Sequence, residues 1–391
     1  MTARQTRVLV LAGLAVLLVS FDSSVLVLAL PAIAAELHSS VPALTELGSA
    51  LALGSLAALP LSMLADRLGR RLVLASAVAG FSAANIASAL APTLFWLTAA
   101  RVVAVCFETV AASVATALVI EEVPKARRGL AVAAITVMAG AGTGLTTLIY
   151  PLLAPRWRLL YVAGSAGVIA AVLLAGALPE SRAWTAVTIA QQKHFSIRLL
   201  LTPPWRDRLL VVGLAAALGS LLFQPAGLLV ALFASRQLDL GPAAISAVVV
   251  VSGLASIPAF PLGGALSDRI GRRKVGVALS GLTVCFAAAA FSGSRTSYWA
   301  GNVLWSVLAS AASPALGAWY GELFPTRARA TSESAGAAAG ALGGVVGFQL
   351  VGALQPHLGL GPSLMATAAG ALVGAALLLV LPETRGEPLP P

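Results

Sequence analysis

The phrase "LADRLGRR" (residues 64–71) returns almost unchanged as "LSDRIGRR" (266–273), 202 residues later, and each copy stands between two long apolar runs. Two other phrases return at the same interval. "EEVPKARRG" (121–129) is echoed by "GELFPTRARA" (321–330), with Pro124 and Pro325 201 apart. "LPES" (178–181) is echoed by "LPET" (381–384), with Pro179 and Pro382 203 apart. Three phrases repeated in order at one offset describe two parallel copies of a single architecture. The expected organisation is an N-terminal bundle over 1–184, a polar linker over 185–207 and a C-terminal bundle over 208–391.

The apolar runs say what the copies are made of. The chain has 391 residues, 59% of them hydrophobic and only 10% charged, with a mean hydropathy of +0.93. Soluble domains carry about 25% charged residues, so the composition is that of a membrane protein. A spanning helix needs roughly 20 predominantly apolar residues. Twelve stretches qualify: 8–30, 45–65, 72–91, 94–120, 129–153, 159–179, 209–234, 242–266, 275–293, 297–321, 334–355 and 360–381. Alternating strands of a lipid-facing barrel are absent. The sequence therefore predicts an all-α membrane protein of twelve transmembrane helices in two pseudo-symmetric six-helix halves. The basic N-terminal stretch followed by an apolar run imitates a signal peptide, but eleven further spans follow, and it reads as an uncleaved first span.

The net charge of +10 would suit nucleic acid if it were clustered on one face, but it is distributed by topology. With the N-terminus inside, four of the 25 basic residues fall outside, Arg156, Arg158, Arg236 and Arg295, and Arg101 falls within a span. The remainder fall in cytoplasmic segments, which predicts both termini in the cytoplasm of a multi-pass inner-membrane protein. Cys106 and Cys285 lie in spans and read as packing residues. His38, His194 and His357 lack metal-ligand spacing. No metal and no cofactor are expected.

The octets match the loop signature of the major facilitator superfamily, and this chain resembles that family over essentially its whole length. "EEVPKARRG" and "ELFPTRARA", with "PES" and "PET" closing the halves, resemble the sugar-porter and metabolite:proton symporter branches. "FDSSVLVLALPAIAAEL" (21–37) resembles the first span of aromatic-acid:proton symporters. The resemblance implies alternating access around a central site. It also implies that the octets latch the cytoplasmic side, through Asp66, Arg67, Gly69, Arg70 and Arg71 in one half and Asp268, Arg269, Gly271, Arg272 and Arg273 in the other. Glu121, Arg128, Glu322 and Arg329 look like their partners. The plainer reading is that these charges only anchor topology. Ser62 stands where the family usually has a glycine; Gly264 keeps it.

Asp22, Arg101 and Glu108 are ionisable residues well inside predicted spans. A charge at a helix centre costs about 2.5–3.5 kcal/mol on insertion scales, so each is a functional candidate. Counted from the outer ends of spans one and four, Asp22 and Arg101 both lie about 10–12 Å deep at 1.5 Å per residue. They can pair if their helices are neighbours. Glu108 is two turns beyond Arg101 on nearly the same face. Family symporters place an acid in span one and an arginine in span four, which implies proton coupling; a buried structural ion pair satisfies the same electrostatics.

The C-terminal half is without charge inside its spans. Asn302 stands 201 residues after Arg101. With Gln224, Trp305, Trp319, Tyr320 and Gln349 it makes up the candidate substrate-binding set, although Trp and Tyr in spans are commonly packing residues. Gln224 resembles the sugar-binding glutamine of span seven in sugar porters, followed here by apolar "AGLLVAL" (226–232). "GAGTG" (140–144) lacks the strand and the Lys-Ser/Thr of a phosphate loop. Gly140 and Gly144, like Gly336, Gly340 and Gly344, are spaced for helix packing.

The leading reading is a secondary active transporter of a small organic metabolite, working by proton symport. One alternative is a proton-coupled exporter of a drug-like or secondary metabolite, against which the missing "GPxxGG" of span five counts. Another is a non-transporting membrane sensor or scaffold. An enzyme is not expected, since no nucleophile–base pair is visible. The expected partners are a small-molecule substrate, protons and the lipid bilayer, with no nucleic acid and a monomeric chain.

Overall fold

In the computed structural model the described residues are 2–123, 127–181, 185, 200–325 and 329–386, without the side chains of residues 66, 128, 129 and 330. Residues 186–199 of the expected linker, and the side chains of Asp66 and Arg128, lie outside that description.

The described chain is helical throughout its spans, as lipid demands, because every backbone polar group must be satisfied within its own segment. The helices are α1 (Ala3–Glu36), α2 (Val41–Leu68), α3 (Arg70–Leu90), α4 (Leu94–Glu122), α5 (Arg128–Leu153), α6 (Trp157–Ser165) and α7 (Gly167–Ala177). They continue with α8 (Trp205–Gln237), α9 (Pro242–Ser256), α10 (Ala259–Ile270), α11 (Arg272–Ala289), α12 (Arg295–Leu323), α13 (Arg329–Leu358) and α14 (Leu360–Leu377). Every expected span has its helix. The sixth is broken at Ala166 into α6 and α7, and the eighth at Ile257 and Pro258 into α9 and α10; proline has no N–H to continue the ladder.

Nine helical runs among the described residues are long and apolar enough to cross a membrane, one of them the joined run Leu130–Ala177. α11 and α12 are not among the nine. α11 opens with Arg272, Arg273 and Lys274 within its 18 residues, and α12 carries Asn302, Trp305 and Tyr320. α1, with 34 residues, is about 51 Å long at 1.5 Å per residue, well beyond a hydrocarbon core of about 30 Å. Thr2 caps it in a reciprocal capping box with Gln5.

The repeated octet has a local cause. Between α2 and α3 the chain turns on one residue, Gly69 at φ 96°, and between α10 and α11 on Gly271 at φ 127°. A side chain at either place would be strained. At Gly271 a Cβ would also meet Glu383 Oε2 at 2.6 Å.

The chain divides into two compact units, residues 1–39 with 53–193, and residues 40–52 with 194–391. In the first, α1, α3, α4, α5 and α7 close on a core of small and branched residues including Val16, Val78, Ala111, Val114, Ile135 and Leu174. Lipid tails are as apolar as leucine, so contact between such helices rests on close backbone approach. Gly142 on α5 lies against α1, where a Cβ would stand 2.1 Å from Leu17 O. In the second unit Gly343 on α13 repeats this against α8, 2.0 Å from Ala217 O, and 201 residues later in the sequence.

On α5 the expected packing positions are corrected by half a turn, whereas on α13 Gly340 and Gly344 do lie against α8, at Ser220 and Gln224. A Cβ at Gly140 or Gly144 would meet nothing within 4 Å, and the glycine between them makes the contact. Gly142→Ala is expected to cost about 1–3 kcal/mol through overpacking. Gly140→Ala should gain up to about 1 kcal/mol of helix propensity. Melting of the two variants in detergent checks the opposite signs; a shared direction would contradict the packing assigned here.

Candidate functional site

α1, α3, α4 and α6 bring one polar cluster into the core of the first unit. Arg101 on α4 is its centre and is 0% exposed. Its Nη1 donates to Asp22 Oδ1 at 3.0 Å and Oδ2 at 3.2 Å on α1, and to Asn85 Oδ1 at 2.9 Å on α3. Its Nη2 donates to Glu108 Oε1 at 2.8 Å, one heptad further along α4. Equal depth on neighbouring helices, argued from residue counts, is realised as direct contact. The planar fork of arginine can serve two carboxylates at once, which a lysine could not do in this geometry.

Asn85, Tyr161 and Ser23 complete the cluster and were not anticipated from sequence. The Tyr161 ring lies under the guanidinium, 5.1 Å from Cζ to centroid. Ser23 Oγ donates to Glu108 Oε2 at 2.6 Å. None of the three carries a motif; neutral polar residues in a span become legible only when neighbouring helices converge. The Tyr161 hydroxyl is buried and has no hydrogen-bond partner among the described residues. Tyr161→Phe, which keeps the ring and removes an unpaired hydroxyl, is expected to leave stability within about 0.5 kcal/mol of wild type or raise it. Tyr161→Ala should cost about 3–5 kcal/mol. Thermal unfolding of both variants reads the difference.

With both acids ionised the triad of Asp22, Arg101 and Glu108 is one negative charge in excess. A buried unpaired charge costs several kcal/mol, and one added proton makes the triad neutral. The arrangement can therefore hold and release a proton while keeping its arginine.

In the second unit each candidate substrate residue bonds or packs to a partner of its own. Gln224, 202 residues after Asp22, donates from Nε2 to Gly340 O on α13 at 3.3 Å. Asn302 is buried and donates to Tyr298 O of its own helix at 2.8 Å. Trp305 lies against Phe223, and Gln349 donates to Ser49 Oγ at 3.1 Å. Trp319 is wholly buried, donates from Nε1 to Pro382 O, and stacks with Tyr320 in the cluster of Leu323, Phe324 and Leu381. Trp319 is placed as a packing residue rather than on an accessible surface.

The repeated phrases meet in space, three in each unit. In the first, Arg70 of the octet donates from Nη2 to Glu121 Oε1 at 3.0 Å. Glu180 of "LPES" accepts the backbone N–H groups of Arg70 and Arg71 at the start of α3, and Ser181 Oγ donates to Glu121 Oε2 at 2.6 Å. In the second unit Arg272 bonds Glu322 at 3.0 Å, Glu383 accepts from the N–H groups of Arg272 and Arg273, and Thr384 Oγ1 donates to Glu322 Oε2 at 2.6 Å. A carboxylate at a helix N-terminus meets orphan N–H groups and the positive end of the dipole.

The remaining gate candidates vary. Asp268 pairs with Arg272 at 2.8 Å but is largely exposed. Arg67 and Arg269 are exposed, and Arg273 reaches Leu381 O at 3.4 Å. Arg329 Nε and Nη2 are buried without a partner among the described residues. Partial burial pushes the Glu383 carboxyl up, but the N–H groups of Arg385, Arg272, Arg273 and Thr384 outweigh it and hold the group below its ordinary value of 4.5.

A carboxyl depressed by folding adds stability above its unfolded value and loses it as pH falls through the folded value. Glu383→Gln should therefore melt below wild type at pH 6–7. The gap should close below about pH 4.5, and melting curves across that range check it.

The ends of the first unit's helices are also tied. Arg4 bonds Glu122 at 3.3 Å and Glu180 O at 2.6 Å, while Gln5 bonds Glu122 O, joining α1 to the last turn of α4. At the opposite end Glu36 of α1 accepts from Trp157 Nε1 at 2.6 Å and Arg158 Nε at 3.0 Å, and Arg158 Nη1 donates to Ala89 O and Ala91 O at the end of α3.

Comparison with known proteins agrees with this architecture. A family model described as Major Facilitator Superfamily matches residues 12–231 and 212–391. The chain is 28% identical to a gallate transporter of Pseudomonas putida, covering 97% of this chain and 92% of that protein. It is 26% identical to a probable 4-methylmuconolactone transporter of Cupriavidus pinatubonensis, covering 94% and 88%. Among solved structures a D-xylose–proton symporter superposes with a TM-score of 0.79 at 16% identity, covering 98% of this chain and 99% of that one. A bacterial homologue of the human lysosomal transporter Spinster gives 0.77 at 19% identity, covering 97% of each.

Proposed function

The chain belongs to the major facilitator superfamily and is a secondary transporter of a small metabolite, from which we propose that it moves a small organic acid, of the chemical class of gallate, by proton symport. The observation that carries this reading is a single buried arginine held between two carboxylates from different helices. The empty carrier takes up a proton at the triad. The neutralised carboxyl loosens its hold on Arg101, and the change in charge biases the two bundles, 1–184 and 208–391, between states open to opposite sides. The linker 185–207 and both termini lie in the cytoplasm, on the side rich in lysine and arginine. The octet assemblies lie on that side too and serve as its latch. On this reading substrate contacts come from Gln224, Asn302, Trp305, Tyr320 and Gln349, and Trp319 supports Tyr320 from behind.

Purified protein in proteoliposomes tests the coupling. Gallate added as the probe under zero membrane potential should drive protons in the same direction as itself, read by an internal pH dye. Opposite movement of gallate and protons would establish antiport instead. Gallate transport with no proton movement would remove the coupling altogether.

A further inference from the structure

The buried triad needs a way to exchange its proton with water, and among the described residues of the cluster one side chain is exposed. The side chains of Arg101, Asp22 and Glu108 are 0%, 1% and 5% exposed. Asn85 and Tyr161, which flank them from α3 and α6, are both 0% exposed. Both oxygens of Asp22 are occupied by Arg101 Nη1. One oxygen of Glu108, Oε1, is taken by Arg101 Nη2, and the other, Oε2, faces Ser23 Oγ at 2.6 Å. Ser23 is the exposed member of the cluster. α5, packed on the same stretch of α1, brings hydroxyls as its polar side chains there among the described residues: Thr143 meets Ser24 Oγ at 3.1 Å, and Thr146 donates to Phe21 O. Among the described residues the charged or titratable groups facing Glu108 are thus Asp22, Arg101 and Tyr161.

We propose that the Ser23 hydroxyl is the proton relay between water and the triad, with Glu108 as its first station. This rests on the proton-coupling reading above and gives it a route. In loading, a hydronium ion outside gives its proton to Ser23 Oγ while the proton Ser23 already carries crosses to Glu108 Oε2. One O–H bond breaks on hydronium and one on serine; one forms on serine and one on Glu108. The serine is unchanged, the carboxylate becomes a carboxylic acid, and water is left. Release runs the same steps backwards. Only a group that both donates and accepts can do this, which a hydroxyl does and a methyl does not.

The test is a pH jump on the reconstituted full chain, followed by the infrared band of the carboxylic acid carbonyl. Glu108→Gln and Asp22→Asn assign the band. Ser23→Ala should slow its rise by about tenfold or more with the final amplitude kept, and Ser23→Thr, which retains a hydroxyl, should restore the rate. An Ala variant as fast as wild type overturns the relay and leaves proton coupling standing. Slow rise in both variants also overturns it, since loss of the hydroxyl would not be the cause. A wild-type protein with no titrating carboxyl band removes the coupling reading and the relay together.

Discussion

Asp22→Asn is expected to abolish proton-driven accumulation while leaving exchange intact. Asparagine has the shape of a protonated aspartic acid and cannot change charge. The triad then contains Arg101 and Glu108 alone, which is the neutral state that wild type reaches by taking up a proton. A carrier fixed there can still bring labelled substrate across against unlabelled substrate. It can no longer convert a pH difference into a concentration difference. One proton per substrate across one pH unit supports about tenfold accumulation, because 1.4 kcal/mol is a factor of ten. Proteoliposomes with an acid exterior and gallate as the probe should therefore reach about tenfold with wild type and no accumulation with the variant. A variant that still accumulates the probe would show that Asp22 is only structural.

The largest loss of stability is expected at Arg101. Removing one partner of a buried ion pair costs about 3–5 kcal/mol, because the other charge is left without compensation. Here Arg101→Ala strands two carboxylates, leaves the Asn85 amide oxygen without its donor, and opens a cavity over the Tyr161 ring. Purified variant should melt far below wild type or fail to accumulate in the membrane. Arg101→Lys should rescue only part of the loss, since a single ammonium cannot reproduce the two-pronged contact. The triple variant Arg101→Gln with Asp22→Asn and Glu108→Gln, which removes all three charges, should recover stability beyond Arg101→Ala. Equal melting of the single and triple variants would mean that charge is not what the cluster balances.

Much of this architecture was legible in the sequence because lipid simplifies the code. Twelve apolar runs and three phrases repeated at one interval leave few folds to choose from. The meeting of Asp22 with Arg101 was legible as well, since charges in a span must find partners and depth can be counted in residues. What could not be read was convergence. Asn85, Tyr161 and Ser23 are ordinary residues in apolar helices until three neighbours turn them onto one guanidinium. The packing glycine was misplaced for a related reason: the spacing of Gly140 and Gly144 gives a face, and only the rotation of α5 against α1 decides which face is pressed. The aromatic residues of α12 looked like ligand contacts, yet burial makes Trp319 part of the wall. "LPES" and "LPET" were visible as a repeat, while their use as caps for α3 and α11 depended on where a loop returns.

The ties at both ends of the first unit limit how its centre can rearrange. Arg4 and Gln5 fasten α1 to α4 at one extremity, and Glu36 with Trp157 and Arg158 fastens α1 to α3 and α6 at the other. Asp22, Asn85 and Arg101 stand on those same helices, between the fastenings. Prising the backbones apart near Asp22 would break anchors about 20 Å away at one end of α1 and about 26 Å away at the other (fourteen and seventeen residues at 1.5 Å each). On the proposed mechanism, loosening of Arg101 would then be a matter of rotamer swings inside a stiff frame, so the switch would be quick and small while the frame that carries it travels as a single piece.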